Sequence, residues 1–255
     1  MGFVGLFHAC TSFREDSVDA NDAASEALVR EAGMPDDAGA DGAVTAFCDG
    51  HTLCWTFDEA DASVPSADLS IEDGGVGGSK CLVATITSAE NPSRQALYAT
   101  VTRAITRRVT MSCSVRIDSL GSPTDGGPST MPICLVTDAQ LGASTFYGQV
   151  LAHQWPDGGP KDLEVVVGGL AGATVYCAAL VSNPVPWTEA HLDVTWLADG
   201  GTSVDVSVGT TKKHCDGVVG RPSAVSVQPG VNGLRAGASP PSWKVALDNV
   251  TVDVE

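Results

Sequence analysis

Along most of this chain, hydrophobic residues recur at every second position, the mark of strands with one buried face. Val109, Met111, Cys113, Val115 and Ile117 alternate with Thr110, Ser112, Ser114, Arg116 and Asp118, which predicts a half-buried strand. Leu163, Val165 and Val167 mark another, and Val175, Cys177 and Ala179 a third. Leu192, Val194 and Trp196 run into Asp199-Gly200-Gly201 and out through Val204, Val206 and Val208, a hairpin signal. Pro132 to Thr137 follows a Gly/Pro/Ser/Thr-rich loop and is read as the antiparallel neighbour of the 109–117 strand. Further on, Trp243, Val245 and Leu247 occupy odd positions, but Val250, Val252 and Val254 occupy even ones. An extra residue must be absorbed at Asp248-Asn249, which predicts a bulge there. About a dozen short strands joined by Gly, Pro, Asn and Asp turns predict one all-β domain over residues 46–255, a two-sheet antiparallel β-sandwich of the jelly-roll kind.

Composition changes the picture at the N-terminal side. Residues 11–45 carry nine Asp or Glu against Arg14 and Arg30. Their few apolar side chains contribute roughly 2 kcal/mol each when buried, whereas fixing about 35 residues costs roughly 1 to 2 kcal/mol apiece. An acidic, disordered linker is expected. Residues 1–10 are apolar apart from His8 and end in Ala9-Cys10. They resemble the tail of a bacterial lipoprotein signal, which would make Cys10 a lipidated N-terminus. No span reaches the ~20 apolar residues of a transmembrane helix.

Lys and Arg number 14 against 31 Asp and Glu, a net charge of −17. That balance disfavours nucleic acid and suits a hard cation such as calcium. Eight cysteines without a CxxC spacing point to an oxidising compartment. Cys48 and Cys54 bracket a short loop, and Cys113 and Cys134 sit at near-mirror positions about the Thr124-Gly127 turn. Both pairs are candidate bridges, with Cys81, Cys177 and Cys215 left open.

Phe47-Cys48-Asp49 through Trp55-Thr56-Phe57-Asp58 resembles the opening of concanavalin A-like lectin/glucanase domains, and Trp243 to Val250 resembles their closing strand. These are laminin-G-like jelly rolls, common in secreted bacterial lipoproteins. The resemblance implies that the first and last strands pair and that a structural calcium lies near them, with Asp58 and Asp248 as ligands and Asn249 close by. Glucanase chemistry is not implied. The Glu-x-Asp-x-x-Glu spacing that would hold two carboxylates about 5 Å apart is missing, and Glu164 reads as alone in its strand. His191 and Asp193 share a solvent face as a candidate acid–base pair, while HExxH, GxSxG and GxxxxGK[ST] do not occur.

Sugar recognition asks for an aromatic face and a few polar groups. Tyr147, Gln149, His153 and Trp155 supply them on one strand face. The expectation is a non-catalytic, monomeric, lectin-like module that binds a polysaccharide or glycan. It would be extracytoplasmic, either secreted or displayed on the cell envelope as a lipoprotein. Two alternatives stay open: a structural or adhesive envelope protein, and a glycan-active hydrolase or lyase working through Asp193 or Glu164.

Overall fold

The computed structural model describes residues 47–58, 69–86, 95–103, 105–121, 129–139, 146–155, 159–169, 173–231 and 243–255. Cys10, the 11–45 linker and the Thr124-Gly127 turn lie outside them. The chain divides into two units, residues 1–40 and 41–255, and every described residue belongs to the second.

Fifteen strands form among the described residues. The eight-stranded sheet holds β1 (Leu53–Trp55), β2 (Leu69–Asp73), β3 (Lys80–Ile86), β6 (Arg108–Ser119), β11 (Thr188–Trp196), β12 (Thr202–Val208), β13 (Thr211–Gly217) and β15 (Trp243–Val254). Its order is β13-β12-β11-β6-β15-β3-β2, with β1 also paired to β15. The seven-stranded sheet holds β4 (Gln95–Ala96), β5 (Ala99–Thr102), β7 (Ser129–Asp138), β8 (Tyr147–Gln154), β9 (Lys161–Gly168), β10 (Cys177–Ser182) and β14 (Ala224–Val231). Its order is β10-β9-β8-β7-β14-β4, with β5 paired to β14. Every pairing between these strands is antiparallel.

The alternating pattern makes these sheets a sandwich, because each can hide only one face from water. Val109, Met111, Cys113 and Val115 of β6, and Leu192 and Val194 of β11, are buried from one side. Ile133 and Val136 of β7, Val150 of β8, and Leu163, Val165 and Val167 of β9 are buried from the other. Gly148 lets the layers close, since a Cβ there would stand 2.6 Å from Leu192 Cδ2. Phe146 meets Trp196 edge to face at 5.3 Å between ring centres. The fold is a jelly-roll β-sandwich.

Two expectations need correction. β7 does not pair with β6: it lies between β8 and β14, while β6 lies between β11 and β15. A half-buried strand advertises its buried face, not its partner. For the same reason Cys113 and Cys134 form no bridge. Both are free, buried thiols on opposite sheets; Cys134 hydrogen-bonds the Cys113 thiol and, with burial, pushes its pKa up.

Cys48–Cys54 is a disulfide, as expected. The second bridge, Cys177–Cys215, spans 38 residues of sequence and ties β10 to β13, joining an edge strand of each sheet. Two disulfides fit an extracytoplasmic, oxidising compartment. Among the described residues, no helix is long and apolar enough to cross a membrane.

The bulge falls where the phase flip requires it. The register of β15 against β6 shifts between Asp248 and Thr251, and Asn249 takes φ 51°. On its other side, β15 pairs with β3 from Trp243 to Leu247 and with β1 from Val250 to Val252. The bulge thus marks the change of partner. Asp248 is wholly buried, and burial raises its pKa against the opposing pull of its hydrogen bonds. Its carboxylate accepts from Val76 N–H and Ser79 Oγ–H at 2.8 Å each, and from Asn249 N–H at 2.7 Å. Gly75 lies against it, because a Cβ there would meet Asp248 Oδ2 at 2.6 Å.

These contacts bear on the calcium expectation. Asp58 Oδ1 accepts from Lys80 N–H at 2.8 Å, and both Asp248 oxygens face N–H or O–H donors. Calcium takes six to eight oxygen ligands, and no cluster of three metal-binding side chains occurs among the described residues. Asp58, just past β1, ties that end of the chain to β3, and Asp248 ties β15 to the 75–79 loop that precedes β3.

Candidate functional site

On β8, the core residues Gly148, Val150 and Ala152 turn inward, so Tyr147, Gln149, Leu151 and His153 turn outward. The ladders extend this row sideways. Tyr147 stands between Thr137 of β7 and Gly168 of β9, Gln149 between Leu135 and Val166, and His153 between Thr130 and Asp162. The structure brings the predicted stripe together, with Trp155 just past the strand end and 42% exposed.

His153 is clamped. Its Nδ1 lies 2.9 Å from Thr130 Oγ1 and its Nε2 2.9 Å from Glu164 Oε2. With Glu164 ionised, the Nε2 proton points at the carboxylate, and Nδ1 accepts from the Thr130 hydroxyl. Tyr147 leans over β9: a Cβ on Gly168 would stand 2.7 Å from its hydroxyl oxygen and 2.9 Å from Cζ. Gly168 is therefore the gap into which the phenol fits. Gln149 makes no side-chain hydrogen bond within the described residues.

Glu164 is not alone, which corrects the sequence reading. Asp162 precedes it by two residues on the same face of β9. Trp155 Nε1–H donates to Asp162 Oδ2 at 2.5 Å, while the buried Oδ1 has no partner among the described residues. The signal was legible, because the inward phase of Leu163, Val165 and Val167 sends residues 162 and 164 outward together.

The other predicted pair lies elsewhere. His191 and Asp193 are on the outer face of β11, in the eight-stranded sheet, and each pairs with β6 rather than with the other. His191 Nδ1 is 2.7 Å from Ser112 Oγ. Asp193 accepts from Arg108 Nε–H at 3.0 Å and Nη2–H at 2.5 Å, which raises the guanidinium pKa further. An aspartate engaged by a bidentate arginine is a poor proton shuttle, and this pair lies on a different sheet from the Tyr147 stripe.

The chain matches no protein-family model, and no curated protein sequence matches it. Solved structures share its strand layout at low identity. An endo-β-1,4-glucuronan lyase from Trichoderma reesei is 12% identical over 81% of this chain and 92% of its own, with a TM-score of 0.43. A marine PL7 alginate lyase from Zobellia galactanivorans is 14% identical over 78% and 86%, with a TM-score of 0.47. An alginate lyase from Pseudomonas aeruginosa is 12% identical over 72% and 86%, with a TM-score of 0.46. All three of these neighbours are lyases, which runs against the expectation of a chain without enzymatic activity.

Proposed function

We propose that this chain is a glycan-cleaving enzyme whose site is the outer face of β7, β8 and β9, and that its reaction is a lyase-type β-elimination. The alignment of Tyr147, Gln149 and His153 on one strand, with Glu164 fixing the imidazole, carries the reading. Elimination from a uronosyl unit removes the proton α to the carboxylate, forms the C4–C5 double bond and expels the glycosidic oxygen, which takes a proton. It needs a proton-transfer group and donors that stabilise charge developing on the carboxylate. Both nitrogens of His153 are engaged, so it acts as a positioning residue, and the amide N–H groups of Gln149 are the donors. Tyr147 is the proton-transfer group.

A second reading rests on Asp162 and Glu164. Two carboxylates on one strand face are the equipment of a glycoside hydrolase. No Lys or Arg stands at the outward positions of β7, β8 and β9 among the described residues, which leaves the face uncommitted toward an acidic chain. Incubation with polyuronates and with neutral polysaccharides separates the cases. New ultraviolet absorbance from an unsaturated end supports the lyase, reducing ends without it support the hydrolase, and neither on any substrate overturns both. The envelope placement through Cys10 belongs to the same proposal: labelled palmitate should enter the full chain in a bacterial host and not the Cys10→Ser variant.

A further inference from the structure

A cleft of about 330 Å³ opens on the opposite surface, over the neighbouring strands β6 and β15 of the eight-stranded sheet. Its floor is hydroxyl-rich. Ser112 and Ser114 come from β6 and Thr251 from β15, with Ser112 opposite Thr251 in the ladder and held by His191 at 2.7 Å. One wall is Phe47, 40% exposed, together with His51 of the adjoining short loop closed by Cys48–Cys54. His51 is steadied by Asp253 at 2.9 Å through Nδ1. Another wall is Asn249, lifted out of the ladder by the bulge, its backbone N–H taken by Asp248.

We infer that this cleft is a binding site for a neutral sugar unit of a glycan, separate from the proposed catalytic face. An exposed aromatic ring suits the apolar side of a pyranose, and hydroxyls, an amide and imidazole suit its hydroxyl groups. The volume lies within the range of small-ligand sites. No Lys or Arg lines the cleft, Glu189 is exposed in it, and the chain carries a net charge of −17. An anionic sugar would find no counter-charge there. The disulfide and the bulge, both built by the terminal strands, fix the walls before any ligand arrives.

The test is titration calorimetry of the full chain with cello-, xylo-, manno- and laminarihexaose. At least one should bind saturably. Phe47→Ala and Asn249→Gly, which keeps the positive φ, should each weaken that binding at least tenfold, Phe47→Tyr should retain it, and Tyr147→Phe should leave it unchanged. Phe47→Tyr guards against a loss caused by loosening of the disulfide loop. Binding that follows Tyr147 instead, or no saturable binding to any of the four, overturns the inference. Glycan cleavage is read separately through Tyr147, so either reading can fail alone.

Discussion

The two outer surfaces of the sandwich are made by the same alternating pattern, yet they use their outward residues differently. On the eight-stranded sheet, away from the cleft at Phe47 and Asn249, the charged side chains are largely engaged with one another: Arg108 with Asp193, Arg116 with Asp118, and His214 with Asp205. On the seven-stranded sheet, pairing takes the Trp155 indole and both His153 nitrogens, while the Gln149 amide makes no side-chain hydrogen bond among the described residues. Pairing consumes donors and acceptors that a ligand would otherwise use. Outward polarity alone therefore identifies a surface, and the partners of each side chain decide whether it can work on anything else.

Parting the two sheets breaks this comparison most severely. Cys177→Ser with Cys215→Ser removes the bridge between β10 and β13 and should cost roughly 3 to 4 kcal/mol, measured by urea unfolding of variant and parent. Next comes the catalytic face: Tyr147→Phe should lower glycan cleavage by about 100-fold or more with little change in melting temperature. Gly168→Ala should lower it by roughly 10- to 100-fold, because the new methyl displaces the phenol that now fills that gap. Equal activity of the Gly168→Ala variant would show that the position of Tyr147 is irrelevant.

Asp193→Asn probes the other face. It removes the bidentate partner of a partly exposed Arg108 and should cost roughly 0.5 kcal/mol, leaving cleavage within about twofold of the parent. The smallest effect is in acid. Burial alone would raise the Asp253 pKa, but the Thr52 N–H and His51 outweigh it and hold the carboxyl below its ordinary 3.8. Its contribution is present above that value and lost as pH falls through the lower folded value. Asp253→Asn should therefore flatten the acid limb of stability against pH, as followed by circular dichroism.

Much of this architecture was legible in the sequence. Period-two runs located β6, β9, β11, β12 and β15, and the phase flip located the bulge at Asp248-Asn249, though not the second register shift between Lys244 and Val245. Partners were not legible, because β6 and β7 each fit any strand with a matching face, and chain order was a false guide when successive strands belong to different sheets. The Cys177–Cys215 bridge was hidden for the same reason, since only the packing of one sheet on the other brings β10 to β13. At the site, the Tyr147 stripe was readable from spacing. That Gly168 makes room for Tyr147 depends on register, which no local pattern records.

The placement of β15 sets a timetable. It is the last of the described strands to be synthesised, yet β1, β3 and β6 all need it as their neighbour. The eight-stranded sheet cannot be completed while the ribosome still holds residues 243–254, so its exposed strands must wait, unpaired along those edges, until translation reaches them. A chain stalled or trimmed before Trp243 would present open edges to its neighbours, and its hazard would be aggregation rather than mere loss of activity.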